Sequence, residues 1–189
     1  MSELIYPPYP VPGFRDDVPE GDDEMIPSVE ADGRVYARAT RKWCHGGSRM
    51  LHPVVHLHIV NRMGDIYLQH RSADKDLLPL YWDTAVGGHI TYGEGVMEAL
   101  FREASEELGF FDFNPIHLQD YVFESERERE LVHVFAAVGN FELAPDNLEV
   151  LEGRYWTVEE IQKAMGHNIL TPNFESEYGR VKDTLESLL

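Results

Sequence analysis

Five glutamates, Glu94, Glu98, Glu103, Glu106 and Glu107, crowd around a single arginine, Arg102, in the stretch GGHITYGEGVMEALFREASEELGF. Residues 90–109 have helical spacing ended by Gly109, and like charges one turn apart on a helix repel. A bound cation would relieve that repulsion. At about 100° per residue, Glu103, Glu106 and Glu107 fall within an arc of roughly 100°, beside an apolar arc of Met97, Leu100, Phe101, Ala104 and Leu108. The apolar arc must pack on a sheet, so the acids lie at the border of the core, where an uncompensated carboxylate is costly. Carboxylate oxygens converging on one face suit a hard divalent cation, Mg²⁺ or Mn²⁺. A solvated acidic face is the ordinary alternative for such a charge run.

The elements around this helix read as a mixed β-sheet sandwiched between helices, an α/β (α+β) fold. Residues 34–41 alternate, 53–62 are β-branched and apolar, and 64–71 follow the turn-like NRMGD. Residues 82–86 form a further short strand, 116–124 and 130–139 a β-pair, and 149–156 a last strand. Helical spacing returns over 157–165 and 176–189. Residues 1–22 are rich in proline, tyrosine and acid without apolar periodicity. They are expected to form an extended arm, solvated or laid on a neighbour, ahead of a domain over 23–189. His56 and His58 alternate in VVHLHIV and so share one strand face, as partly buried polar positions or pocket lining. Trp82 and Trp156 read as core anchors.

With 189 residues, 43% of them hydrophobic, the chain can bury one core. Its 34 acidic and 16 basic residues give a formal charge of -18, which repels phosphate backbones and weighs against nucleic-acid binding. A phosphorylated small molecule could still bind through divalent metal. Cys44 is the single cysteine, and neither a signal peptide nor an apolar run of bilayer length is apparent. A cytoplasmic chain with no membrane partner is expected. Cys44 adjoins His45, as a soft ligand, a reactive thiol or simply a small buried hydrophobe. A homodimer is possible, because an N-terminal arm can cross to a partner.

Gly88, five residues, Glu94, seven residues, Arg102-Glu103-Ala104, one residue, Glu106-Glu107, Leu108 and Gly109-Phe110 follow in fixed register. This pattern resembles the signature of the Nudix hydrolases. The resemblance implies the Nudix fold and hydrolysis of a phosphoanhydride in a small diphosphate-linked molecule, by attack of water at phosphorus. It implies that Glu103, Glu106 and Glu107 hold Mg²⁺ or Mn²⁺, that Arg102 orients the acids, and that Gly88 and Glu94 shape the loop and helix entry. A carboxylate, Glu106, Glu107 or one outside the helix, would take the proton of the attacking water.

A second stretch, ATRKWCHGGSRMLHPVVHLHIVN followed by LQHRSADKDLLPLYWDTAVGGH, is similar to type 1 isopentenyl diphosphate isomerases, which share that fold. Their metal ligands match His45, His52, His89, Glu128 and Glu130, and their diphosphate-gripping residues match Arg41, Arg71 and Lys75. Gly87 stands where the isomerases carry a catalytic cysteine, and Glu103 where they carry a diphosphate-binding arginine. Both departures favour hydrolysis. The alternatives are an isomerase-like enzyme for isoprenoid diphosphate, disfavoured by Gly87, and a diphosphate-binding module without catalysis, disfavoured by the intact carboxylate set. Without the resemblance, Glu128 and Glu130 would read as part of a solvated charged hairpin, and Arg71 and Lys75 as surface cations.

Overall fold

The computed structural model describes residues 3–15, 24–75, 77–146 and 150–189. The expected arm over residues 16–22, its boundary at residue 23 and the first residue of the strand at 149 lie outside the described residues. The chain divides into two compact units. One comprises Met1–Val55, Gly88–Leu100 and Gln119–His133, and the other His56–Gly87, Phe101–Leu118 and Val134–Leu189.

Strand β1 (Met25–Val29) pairs antiparallel with β2 (Val35–Thr40) in the first unit, and β2 alternates between buried and half-buried positions as its sequence predicts. Thr40 then caps a single turn, α1 (Arg41–Trp43), its hydroxyl accepting the Trp43 amide at 3.2 Å, and a wide helical turn follows over Cys44–Ser48. The core of this unit gathers Val29, Val35, Leu51 and Leu131, and Leu4, Tyr6 and Phe14 pack against it. Residues 3–15 are therefore docked on their own chain. Backbone hydrogen bonds from Ile5 to Gly33, from Val35 to Ile5 and from Arg15 to Tyr36 fix them along β2. Cys44 is fully buried beside Ile26 and Ala39, a small hydrophobe in its setting.

The remaining strands are β3 (Leu51–Val60), β4 (Ile66–Arg71), β5 (Trp82–Thr84), β6 (Val86–His89), β7 (Ile116–Glu124), β8 (Arg129–Val138) and β9 (Val150–Trp156). They form a large mixed sheet of order β5-β4-β3-β8-β7, with β6 paired to β3 and β9 to β4. β3 is buried along its whole length, which explains its continuous apolar run. WDTAV is divided between two strands, since the chain leaves β4 after Thr84 and takes β3 as its partner from Val86.

The acidic helix, α2 (Val96–Leu108), begins later than its periodicity suggests. Residues 90–95 instead form a loop in which Gly93 has φ 91° and Glu94 accepts the Thr91 amide at 3.0 Å. Its end is as expected. Gly109 takes φ 58°, and the Phe110 amide reaches back to the Ala104 carbonyl at 3.0 Å, closing a left-handed cap. Leu100, Ala104 and Leu108 are fully buried. Helix α3 (Val158–Ala164) starts with a reciprocal bond pair between Thr157 and Glu160, and α4 (Pro172–Ser187) with a Thr171 cap and proline at its first turn. That proline lets α4 begin ahead of the periodic residues at 176.

Candidate active site

The carboxylates of α2 that share a face have three different environments, all within the second unit. Glu106 is mostly exposed, Glu103 mostly covered, and Arg102 bonds both, at 2.8 Å to Glu103 and 3.1 Å to Glu106. Glu107 is only 4% exposed, yet it lies in a polar niche. Its Oε2 accepts the Gln69 side-chain amide at 3.1 Å and the Gly87 backbone amide at 3.3 Å. Helix α2 thus presents an arginine-linked pair beside a carboxylate whose orientation is fixed by β4 and β6. Preset donors of this kind hold a metal-ligating carboxylate in place. Oxygen donors alone suit a hard divalent cation, so the set fits Mg²⁺ or Mn²⁺.

The five histidine and glutamate positions fall in the first unit. One ring nitrogen from each of His45, His52 and His89 can be chosen so that all lie within 4.8 Å of one another. The second nitrogens show how the rings are aimed. His45 Nδ1 is held by Glu128, and His52 Nδ1 donates to the Met50 carbonyl at 3.0 Å. Each bond turns the opposite nitrogen, Nε2, toward the cluster. His45 Nε2 meets His89 Nε2 at 2.8 Å, so one of the two carries a proton that a cation would replace. His52 Nε2 is buried without a hydrogen-bond partner, 3.9 Å from Glu130. Burial, aided by the neighbouring His45, pushes the pKa of His52 down against its bond to Met50, which keeps its Nε2 lone pair available. Burial raises the Glu128 carboxyl, but the bond to His45 outweighs it and holds the group below the usual range. An orphaned lone pair and anchored imidazoles are the pattern of a metal site whose ligands are oriented from behind. Glu128 here serves as that anchor, and Glu130 Oε1 stands 3.9 Å from the open nitrogen.

The three cations differ. Arg71, in the second unit, clasps its own loop: its guanidinium bonds Asp83 at 3.1 Å and the carbonyls of Leu77 and Leu78 at 2.9 and 3.2 Å. Lys75 follows on the same loop, half-buried, and Arg41 lies exposed at the start of α1 in the first unit. Glu94 sets the loop before α2, and Tyr6 from the N-terminal segment bonds its carbonyl at 2.8 Å.

Two positions escaped the sequence reading. Gln69, buried on β4, is the side chain that orients Glu107, and a lone glutamine in a strand carries no signature. Glu177 is fully buried on α4 and receives both His56 and His58 at 2.8 Å. It had a signal. Phe174, Tyr178, Val181 and Leu185 define the buried stripe of α4, and Glu177 interrupts it. Trp156 is buried under the Arg154 guanidinium, which lies 3.9 Å above its ring, and Trp82 stacks on His70.

Comparison with known proteins agrees with the fold. The NUDIX domain model matches residues 50–174. The Nudix hydrolase YfcD of Salmonella typhi is 30% identical over 138 residues, 73% of this chain and 74% of that protein. Isopentenyl-diphosphate Delta-isomerase 1 of Photorhabdus laumondii is 27% identical over 139 residues, 69% of this chain and 79% of the isomerase. A crystal structure from Deinococcus radiodurans superposes with a TM-score of 0.72 at 22% identity, covering 83% of this chain and 98% of the other, and supports the fold. The chain belongs to the Nudix family, among hydrolases of pyrophosphate bonds, and is similar to type 1 isopentenyl diphosphate isomerases.

Proposed function

We propose that the protein is a divalent-metal-dependent pyrophosphohydrolase that cleaves the phosphoanhydride of a small diphosphate-linked molecule, such as a nucleoside diphosphate derivative, in the cytoplasm. The observation that carries this reading is the division of labour on α2, where Arg102 links Glu103 to Glu106 while the buried Glu107 is fixed by Gln69 and Gly87. Glu103, Glu106 and Glu107 would hold Mg²⁺ or Mn²⁺. When bound, the ion neutralises phosphate charge and lowers the pKa of water. Arg102 keeps two of the acids apart in repulsion but together in space, which prearranges them before a cation arrives. Lys75 and the guanidinium N–H groups that Arg71 does not commit to its loop supply positive charge for the diphosphate in an otherwise acidic chain.

The histidine cluster favours a second cation site, held by His45, His52 and His89 with Glu130, and backed by Glu128. Imidazole nitrogen donors suit a softer ion than the α2 set, Mn²⁺ before Mg²⁺. The cluster's residues match the metal-ligand positions that the resemblance to isopentenyl diphosphate isomerases implies, and Gly87 offers no thiol.

The test is phosphate or pyrophosphate release from a panel of nucleotide and isoprenoid diphosphates, with and without Mg²⁺ or Mn²⁺, using E107Q as the control. Metal-dependent turnover of one class, lost in E107Q, is the expected result. Absence of turnover across the panel overturns the hydrolase reading in favour of a binding module. Isomerisation of isopentenyl diphosphate by the wild type overturns the argument from Gly87.

A further inference from the structure

The turn over Cys44–Ser48 carries His45 of the histidine cluster and ends on a strained residue. Arg49 has φ 55°, in the left-handed region that residues other than glycine rarely adopt. Gly46 and Gly47 stand between His45 and Arg49, and a Cβ added to either would have no atom within 4 Å. Side-chain packing therefore does not hold this stretch, and glycine leaves its backbone free to turn. Arg49 ties its far end down.

Its guanidinium crosses to the hairpin between β7 and β8, where Nη1 donates to the Ser125 carbonyl at 3.0 Å and Nη2 to Glu124 at 3.2 Å. Arg129 bonds the other oxygen of Glu124 at 2.8 Å and steadies the carboxylate that Arg49 meets. Ser125 closes the hairpin turn on Glu128: its amide donates to the Glu128 carbonyl at 2.9 Å, and its hydroxyl accepts the Glu128 amide at 3.1 Å. Glu128 in turn holds His45 Nδ1. The contacts form a closed ring, from His45 along the turn to Arg49, across to Ser125, on to Glu128 and back to His45. All of it lies in the first unit. Stability does not account for the arrangement, since the Arg49 and Glu124 side chains are 46% and 48% exposed and ion pairs so exposed contribute little. A left-handed backbone at an arginine subtracts from that. What the ring supplies is direction, with His45 Nε2 turned to His89.

We propose that Arg49 is the positioning residue of the histidine cluster, latching the turn that carries His45 onto the hairpin that carries Glu128, so that His45 Nε2 is aimed before a cation arrives. This rests on the reading of the cluster as a cation site. Arg49 acts through Ser125 and Glu128 rather than as a ligand, in the way that outer residues orient the imidazoles of a metal centre. The left-handed backbone at residue 49 is what turns its side chain from the end of the turn toward the hairpin.

Two measurements test the latch together. In calorimetric titration of the metal-free protein with Mn²⁺, the cluster's class of sites is the one lost in H89Q. R49A should weaken that class by about tenfold or more, as when a residue supporting a metal ligand is removed, and spare any other class. R49G should weaken it as much, although glycine relieves the left-handed strain and should melt no lower than R49A. In an E128A background, R49A should cost less than about threefold, because the ring is already broken. Nitrogen-15 spectra of the histidine rings in metal-free protein should show His45 protonated on Nδ1 in the wild type and in mixed tautomers in R49A. Unchanged affinity in both R49A and R49G, or the full loss repeated in the E128A background, overturns the latch. A His45 that keeps its single tautomer in R49A overturns it as well. Absence of any Mn²⁺ class lost in H89Q overturns the cation-site reading beneath it, and the ring spectra then decide by themselves whether Arg49 aims His45.

Discussion

The side-chain amide of Gln69 on β4 donates to Glu107 on α2 across 3.1 Å, a bond between two buried residues. Gln69 also reaches the Ala85 carbonyl at 3.3 Å, so one side chain ties strand, loop and helix. In Q69L the volume is nearly kept but this donor is lost. Supporting residues of metal ligands typically contribute 10–100-fold to metal affinity. Calorimetric titration should show Mg²⁺ or Mn²⁺ binding weakened about tenfold or more, with kcat at saturating metal much less affected. Unchanged affinity would reduce Gln69 to core packing.

Arg102 makes a different prediction, because its pairs with Glu103 and Glu106 are partly solvated and Glu106 is 61% exposed. Such pairs contribute only about 0.2–1 kcal/mol each. R102A should therefore lower the melting temperature of metal-free protein by no more than about 8 °C. Its effect on hydrolysis at limiting metal should be far larger, a loss of about tenfold or more, since two ligands lose their common anchor. R102K should fall between, as both bonds come from the single nitrogen Nη1, whose place an ammonium can take only on a more flexible stem. A large melting change with unaltered hydrolysis would make Arg102 a stabilising residue only.

Much of this was legible in the sequence where one local pattern had one physical meaning. The alternation of β2 and the apolar spacing of α2 became the elements they predict, and Gly109 closed its helix. What escaped depended on partners distant in the chain. β1 contains Pro27 and no simple alternation, and it exists because β2 supplies its hydrogen bonds. Glu177 lies 121 residues from His56, so nothing near either residue announced their bond. The role of Arg71 as a loop clasp likewise depends on Leu77, Leu78 and Asp83 being brought round by the turn after β4. Side chains that could be ligands by type became distinguishable by what stands behind them, as with His52, whose Nδ1 is spoken for by Met50.

Glu177 also sets an acid limit on stability. Its burial opposes ionisation, but His56 and His58 overcome this and hold its carboxyl well below the usual range. The unfolded chain takes up that proton near pH ~4.3, whereas the folded carboxylate stays ionised. Below about pH 5 the unfolded state thus binds more protons, so stability is fully present above that range and falls as the pH drops toward the folded pKa. E177Q has no such proton to bind. It should be less stable than wild type at neutral pH by about 1–3 kcal/mol, and the gap should narrow between about pH 5 and pH 3. Denaturant unfolding at a series of pH values measures this. A gap independent of pH in that window would mean that Glu177 is not ionised in the folded protein.

If the histidine cluster and the α2 carboxylates bind separate cations, their variants should separate in titration. H89Q should remove one class of Mn²⁺ sites and spare the other, and E107Q should do the reverse. The cluster's affinity should also fall on acidification, because protons compete for its ring nitrogens, with His52 holding out below the usual histidine range because it is buried. Loss of both classes in either variant would indicate one shared site.

Gly87→Cys tests whether the missing thiol alone separates this chain from the isomerases it resembles. The new Cβ would lie 3.3 Å from His56 Cδ2, tighter than ordinary contact, so the ring must move by a few tenths of an ångström. His56 is tethered to Glu177 at 2.8 Å and cannot turn away without breaking that bond. The thiol would therefore arrive at a crowded edge and press on β6, whose Gly87 amide holds Glu107. G87C should lose hydrolysis by about tenfold or more, as Glu107 loses part of its support, without gaining isomerisation of isopentenyl diphosphate, and G87A, which adds the same Cβ, should lose nearly as much. Assays of both reactions on both variants decide it. Isomerisation by G87C at a rate comparable to the wild-type hydrolysis would show that the surrounding residues already form an isomerase site.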